Sequence, residues 1–461
     1  MSADDAPEFE EAEAAEHRIA ADAAYAELLE RIGEAAPRPR LEPTRRAVEL
    51  LGDVHRAAPV IHITGTNGKT STSRMIESLL RATGLRTGLL TSPHLERVTE
   101  RIMIDGEPIS DEAFARNWDD IRPYLLMVDA ELAANGEEGL TFFEALTVLA
   151  FASFADAPVD AVVLEVGMGG EWDSTNVADG QVAVFTPIAL DHTARLGNTV
   201  AEIARTKSGI IKPAASVVTA IQPIEALDEL RTAASQDEAS LAIERVDFAL
   251  ESTTVAVGGQ LVDIRGRAGR YDGVFLPLYG DHQAQNAALA IAAVESFLGD
   301  GRFALDQDVV TEGLGSVTSP GRLQLVGIEP TVLVDAAHNP AGANALAKAL
   351  GEYFDFDELA IVIGVLADKD AHGIVAELAA LAARVDVTQS SSERAIPADE
   401  LADLVRTEVE PGLVFEHPDA ADAVEAARVW ASESPRRAVV VTGSITLVGD
   451  AIAIARDGGW K

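Results

Sequence analysis

The chain has 461 residues, 48% of them hydrophobic, and carries 36 basic against 75 acidic side chains, a formal net charge of −39. So negative a field repels nucleic acid and anionic membrane surfaces, and the absence of cysteine excludes disulfides, thiolate metal sites and cysteine nucleophiles. The length exceeds what a single core usually holds, so two or three domains are expected.

The acid is spread along the whole chain. That is the pattern of a halophilic protein rather than of one acidic docking surface, because surface carboxylates hold water and high salt screens their repulsion. Only six lysines occur (Lys69, Lys207, Lys212, Lys348, Lys369 and Lys461), so each is expected to have a specific task. Met1–Asp5 has neither the basic nor the apolar region of a signal peptide, and no apolar run approaches a membrane span. A cytoplasmic protein is expected.

In chain order, residues 1–19 read as an acidic, alanine-rich tail or frayed helix, and an amphipathic helix is expected from Ala20 to about Ile32. Pro37, Pro39 and Pro43 then impose an extended connection. Strand-like runs at Val60–Thr64, Leu85–Leu90, Ala161–Val166, Val182–Thr186 and Ser216–Ala220 alternate with helical patterns, which implies a doubly wound, mainly parallel α/β sheet. Residues 246–278 are shorter in rhythm and β-rich, with Gly258–Gly259 and Gly266 as turns, and read as a small antiparallel appendage. Thr318–Gly321 reads as a linker. The α/β rhythm restarts at Thr331–Val334, Leu359–Val365, Ala383–Val387 and Ala438–Thr442. The expected domains are a P-loop ATP-binding domain over 20–316, a linker over 317–321 and a smaller C-terminal α/β domain over 322–461.

The segment Val60–Leu80 carries the first chemistry. A β-branched run breaks at Gly65, Gly68-Lys69-Thr70-Ser71 follows, and Met75, Ile76, Leu79 and Leu80 recur at helical spacing. The full Walker spacing fails, because Ile63 stands five residues before Gly68. The shorter strand–loop–helix still offers backbone N–H groups at a helix N-terminus, the charge of Lys69 and the hydroxyls of Thr70 and Ser71 to a nucleotide's phosphates.

Three further residues can serve a metal. Glu165 ends an apolar strand, where a carboxylate is costly unless paired or bound to a cation, and where the C-terminal edge of an open sheet binds ligands. His192 follows another strand end. Lys207 lies in a helix that stops at Gly209; neutral, it can take up CO₂ and become a carbamate, a carboxylate-like ligand. Each is also readable as structural: a strand-mouth carboxylate, a strand-end histidine, a surface lysine. Hard oxygen donors beside a triphosphate loop favour Mg²⁺.

Together these motifs resemble the folylpolyglutamate synthase/dihydrofolate synthase family, a branch of the Mur-ligase-type amide-forming enzymes. "PVIHITGTNGKTS", "TSPHLERVTERIMIDGEPI", "TFFEALTVLAF", "LEVGMGGEWDSTN", "IALDHTARLGNTVAEIARTKSGI", "GDHQAQNAALAI", "PGRLQLV", "VDAAHNPAGA", "GVLADKD" and "VTGSITLVGD" follow in the family's order, from about Tyr25 to about Ala453. The resemblance implies an ATP-dependent ligase that joins L-glutamate to dihydropteroate or a folate through an acyl phosphate. It implies that Asn67, Gly68, Lys69, Thr70 and Ser71 bind the ATP phosphates, with Asn286 from the first domain and Arg322, Asp335 and His338 from the second. It implies two Mg²⁺ ions, one on Ser92 and Glu165, the other on His192 and a carbamylated Lys207. Thr141, Phe142, Phe143 and Glu144, with Trp172, Asp173 and Ser174, would line the pterin end of the substrate. The expected partners are these small molecules only, and a monomer is expected.

Two positions depart from the family pattern: Glu171–Trp172 stand where Arg or Lys usually follows the double glycine, and Thr206 stands where Glu usually precedes the lysine. Two rival readings remain: a Mur-type ligase acting on another carboxylate, and a P-loop NTPase without amide chemistry.

Overall fold

The computed structural model of the chain describes residues 6–33 and 38–460, with side chains from residue 12 onward; Met1–Asp5, Pro37 and Lys461 lie outside them. The helix expected from Ala20 begins earlier, as one element over Ala6–Leu29. Nothing between Glu8 and Leu29 interrupts it, since the stretch is alanine-rich and lacks glycine and proline. Its Ala21, Ala24 and Leu28 are buried, at the spacing of one helix face.

The chain divides into two compact units. The first comprises Met1–Leu250, Ile264–Asp272 and Asn286–Ser316; the second comprises Glu251–Asp263, Gly273–Gln285 and Val317–Lys461. In the first, β1 (Val60–Thr64), β2 (Thr87–Leu90), β3 (Ile102–Ile104), β4 (Glu107–Pro108), β5 (Ala161–Glu165), β6 (Gly180–Phe185), β7 (Ser216–Thr219) and β8 (Ser240–Ile243) form one sheet in the order β4-β3-β2-β5-β1-β6-β7-β8. The pairs from β2 to β8 are parallel, and β3 and β4 add an antiparallel edge. All five residues of β1 are buried, as a central parallel strand covered on both faces requires.

The β-rich appendage is a three-stranded sheet of β9 (Ala249–Ala256), β10 (Gly259–Arg265) and β11 (Arg270–Leu276), in the order β11-β10-β9. The second unit carries β12 (Gln324–Gly327), β13 (Thr331–Asp335), β14 (Glu358–Ile363), β15 (Ala382–Val387), β16 (Val414–Glu416) and β17 (Arg437–Thr442), in the order β12-β13-β17-β14-β15-β16. Only β12 runs antiparallel to its neighbour. The sequence reading misses β3, β4, β8, β12 and β16. All are edge or near-edge strands of two to four residues, too short to show an apolar run.

The register sets the site. Ile63 lies opposite Glu165 and Thr64 opposite Phe185, so the C-terminal ends of β5, β1 and β6 stop side by side. The segments that leave these three ends carry the phosphate loop, the glycine turn after Glu165 and the segment leading to His192. Among the described residues, no helix is long and apolar enough to cross a membrane.

Candidate active site

The phosphate loop is shaped by two glycines. At Gly65, φ is +152°, and a Cβ there would lie 1.9 Å from Thr186 Oγ1. At Gly68, φ is +87°, and a Cβ would lie 2.8 Å from Asn286 Oδ1. Only glycine lets the chain pass this close to both neighbours. The loop is pinned from outside: Thr66 N–H donates to Pro187 O at 3.0 Å, and the Thr66 hydroxyl donates to Ala189 O at 3.1 Å. The helix Lys69–Ala82 then starts with no side-chain cap. Its first N–H groups have no partner within the helix, which is the arrangement that binds anionic oxygen. Met75, Ile76, Leu79 and Leu80 are fully buried on its inner face, as their spacing indicates.

Two lysines converge on this loop. Lys69 Nζ donates to Gly65 O at 3.3 Å and to Thr66 O at 3.2 Å. Lys207, in the helix Val200–Ser208, is 4% exposed and donates to the same Gly65 O at 2.7 Å. Burial first, and then the charge of Lys69, push the Lys207 amine down to about 7, against the opposing pull of Asp191 and Asp173. Near neutral pH a large share of this amine is therefore unprotonated.

Glu165 is 1% exposed, and its Oε1 accepts the Thr70 hydroxyl at 2.9 Å. His192, with φ +50°, precedes the short helix Thr193–Leu196. Its N–H donates to Asp191 Oδ1 at 2.8 Å, and its Nε2 lies 3.8 Å from Asp191 Oδ2. Glu165 with Thr70 lies at the C-terminal edge of the sheet, Lys207 reaches the loop that leaves this edge through Gly65 O, and His192 stands beside Asp191 in the segment that follows β6. Ser92 is half-buried just beyond β2, on the other side of β5. Among the described residues no cluster of three or more His, Asp or Glu side chains is arranged to hold a metal ion. A metal here depends on hydroxyl and lysine-derived ligands as well.

The segments 141–144 and 172–174 meet: Thr147 Oγ1 lies 2.7 Å from Ser174 Oγ, and a Cβ on Gly167 would lie 2.7 Å from the Phe143 ring. Several of these residues have structural duties. Thr141 caps the helix Phe142–Asp156, and Glu144 closes the capping box. Glu144 also accepts a two-pronged ion pair from Arg40 at 2.9 and 3.0 Å. Phe142 is buried beneath the Arg101 guanidinium. Trp172 is 41% exposed and Phe143 half-buried, so these two keep aromatic surface.

Asp173 is buried and accepts N–H bonds from Met168 at 2.9 Å and Thr175 at 3.1 Å, with the Thr175 hydroxyl at 2.5 Å. Burial raises its pKa. That hydroxyl accepts in turn from His62 Nε2 at 2.8 Å, and burial holds His62 neutral, with its pKa down to about 3. Arg40, Thr175 and His62 are the residues that sequence reasoning missed, because the pairs Arg40–Glu144 and His62–Thr175 each join residues more than 100 positions apart.

In the second unit, Asp335 ends β13. Its Oδ2 accepts Leu323 N–H and its Oδ1 accepts Ala337 N–H, both at 2.8 Å. Arg322 donates to Ala336 O at 3.4 Å, and His338 Nδ1 donates to the same oxygen at 2.9 Å. Asp335 and His338 thus share the turn after β13, and Arg322 reaches it from before β12. Nearby His282, also missed, is pushed down to about 4 by burial and by the Arg322 charge.

Comparison with known proteins gives the family. The Mur ligase middle domain matches residues 63–294, and the Mur ligase, glutamate ligase domain matches residues 321–445. The dihydrofolate synthase/folylpolyglutamate synthase of Mycobacterium tuberculosis is 42% identical over 440 residues, 90% of each chain. The solved M. tuberculosis folylpolyglutamate synthase complexed with ADP is 41% identical, covers 95% of this chain and 99% of its own, and superposes with a TM-score of 0.91. The E. coli FolC complex with DHPP and ADP is 30% identical, covers 95% and 98%, and gives a TM-score of 0.81. The chain belongs to the folylpolyglutamate synthase/dihydrofolate synthase family of Mur-ligase-type, ATP-dependent amide ligases.

Proposed function

We propose that this chain uses ATP and Mg²⁺ to add L-glutamate to dihydropteroate, and to folates already bearing glutamate. The observation that carries the reading is the convergence of Lys69, Lys207 and the Thr70–Glu165 pair around the Gly65–Gly68 turn.

The donor set fits the ions. Ser92 and Glu165 offer hard oxygen, and the unprotonated share of the buried Lys207 amine can add CO₂, losing one proton to give a carbamate that joins His192. When bound, two Mg²⁺ ions supply charge neutralisation at the phosphoryl oxygens. The N–H groups from Asn67 to Ser71 hold the phosphates, and Lys69 swings from its carbonyl partners to the terminal phosphate. Asn286, which abuts Gly68, binds the nucleotide from the first unit; Arg322, Asp335 and His338 bind it from the second. Phe143 and Trp172 supply aromatic faces for the pterin, and Thr141, Phe142, Glu144, Asp173 and Ser174 shape the wall behind them.

The acceptor carboxylate attacks the γ-phosphate and ADP leaves. The α-amine of glutamate then attacks the acyl carbon, and phosphate departs with one of the original carboxylate oxygens. Residues 20–316 act as the ATP-binding domain, 317–321 as linker and 322–461 as the glutamate-ligase domain. The acidic composition suits a monomer working in a high-salt cytoplasm.

The test is incubation with ATP, Mg²⁺, dihydropteroate and glutamate, repeated with tetrahydrofolate as acceptor. ADP and dihydrofolate in equal amounts support the reading. ATP turnover that ignores glutamate contradicts it.

A further inference from the structure

Part-buried arginines of this chain have polar partners: Arg31 holds Asp129, Arg40 holds Glu144, Arg97 holds Asp111 and Arg384 holds Asp386, while Arg267 donates to the Ser296 hydroxyl and Arg322 to Ala336 O. Arg74 does not. It lies in the helix Lys69–Ala82, one turn beyond Thr70 and so on the same face. It is half-buried, and among the described residues its guanidinium makes no hydrogen bond and no ion pair.

Three carboxylates act on Arg74 through space, those of Glu165, Glu100 and Glu77. Each has another hydrogen-bond partner. Glu165 accepts the Thr70 hydroxyl. Glu100 accepts the N–H groups of Leu95, Glu96 and Arg97. Glu77 accepts the Thr87 hydroxyl and Arg81. Removing a guanidinium from water without a partner is unfavourable, and arginine cannot escape by losing its proton. The cation is poised for an anion that arrives with a ligand.

Position and chemistry select that anion. Arg74 shares its helix face with Thr70, whose hydroxyl reaches Glu165, so it sits beside the end of the phosphate loop. The nucleotide's phosphates already have Lys69 and the loop N–H groups, and Lys207 is assigned to a metal. The reaction also brings the carboxylates of the acceptor and of glutamate; the acceptor's is the one that must lie against the γ-phosphate, and no residue assigned so far carries a charge to meet it. A guanidinium matches a carboxylate with two parallel hydrogen bonds. We propose that Arg74 receives the carboxylate of the acceptor substrate and holds it for phosphorylation. The proposal rests on the ligase reading above.

Calorimetric titration of pteroate and of its carboxamide onto the full chain with ADP and Mg²⁺, at fixed KCl, tests it. The wild type is expected to prefer pteroate. Arg74→Gln should weaken pteroate by about 10- to 100-fold, the range of a charge-assisted hydrogen bond, and leave the carboxamide unchanged. Arg74→Lys should restore part of the difference and reports separately if the glutamine variant folds poorly. In turnover, the KM for dihydropteroate should rise while the KM for ATP holds.

Equal weakening of both ligands, or unchanged pteroate affinity, overturns the proposal. So does a rise in the KM for ATP alone, which would make Arg74 a counter-ion that orients Glu165. A wild type that binds pteroate in preference to its carboxamide yet forms no dihydrofolate contradicts the ligase reading instead, and leaves the role of Arg74 standing.

Discussion

Lys69 and Lys207, 138 residues apart in the chain, donate to a single acceptor, the Gly65 carbonyl, at 3.3 and 2.7 Å. Two ammonium groups on one oxygen repel each other, and burial adds to the cost for Lys207, whose pKa falls to about 7. The arrangement makes sense if neither amine stays an ammonium on that carbonyl in the working enzyme: Lys69 moves to phosphate, and Lys207 becomes a carbamate.

Lys207→Met removes the cost together with the chemistry. The ligand-free variant should be more stable than the wild type by about 1–3 kcal/mol in urea melts, the usual price of a buried polar group without full compensation. Its ligase activity should fall by at least about 100-fold. Carbon-13 bicarbonate should give a carbamate resonance in the wild type and none in the variant. Full activity in the variant contradicts the assignment.

The Arg40–Glu144 pair is nearly sealed, with the two side chains 15% and 6% exposed. Arg40→Met alone leaves a buried carboxylate and should cost about 3–5 kcal/mol, whereas Arg40→Met with Glu144→Leu should recover much of that loss. A urea-melt double-mutant cycle reads the difference. Additive losses would show that the pair does not act as a unit.

His62 sets a pH limit. Its folded pKa, about 3, lies below the unfolded value of about 6.5, so the unfolded state binds the extra proton between them. Its contribution is complete above about pH 6.5 and is lost as pH falls toward 3, by up to about 1.4 kcal/mol per pH unit. His62→Gln should flatten the stability curve between pH 6.5 and 5, where few carboxylates titrate. An unchanged slope would show that His62 is protonated in the fold.

ATP, folates and glutamate are all anions, and the chain's net charge is −39. Raising KCl from 0.1 to 1 M shortens the Debye length from about 10 to about 3 Å. The KM for ATP should therefore fall across that range, opposite to the trend expected of a basic protein. A KM that rises steadily would contradict the salt-adapted reading.

Much of this was legible in the sequence. The central strands β1, β5, β13 and β17 are long apolar runs, and the Gly65–Ser71 loop announces itself by spacing. Lysine scarcity marks all six lysines, Lys69 and Lys207 among them, as residues with a task. The edge strands β12 and β16 were not legible, because three or four half-exposed residues carry no periodic signal. Nor was the first helix's true start, since alanine and glutamate stretches read equally as tail or helix. The partners of Glu144 and Thr175 are hidden for another reason: Arg40 lies 104 residues from Glu144, and His62 lies 113 from Thr175, so only the fold brings them together. The isolation of Arg74 is a property of its surroundings and cannot be read from one position.

The chemistry turns on whether the acceptor carboxylate is phosphorylated before the amide forms. Dihydropteroate labelled with oxygen-18 in its carboxylate, incubated with enzyme, ATP, Mg²⁺ and glutamate, gives a direct answer by mass spectrometry of the released phosphate. The account predicts one labelled oxygen in phosphate for each dihydrofolate formed. Dihydrofolate formed alongside wholly unlabelled phosphate would contradict it.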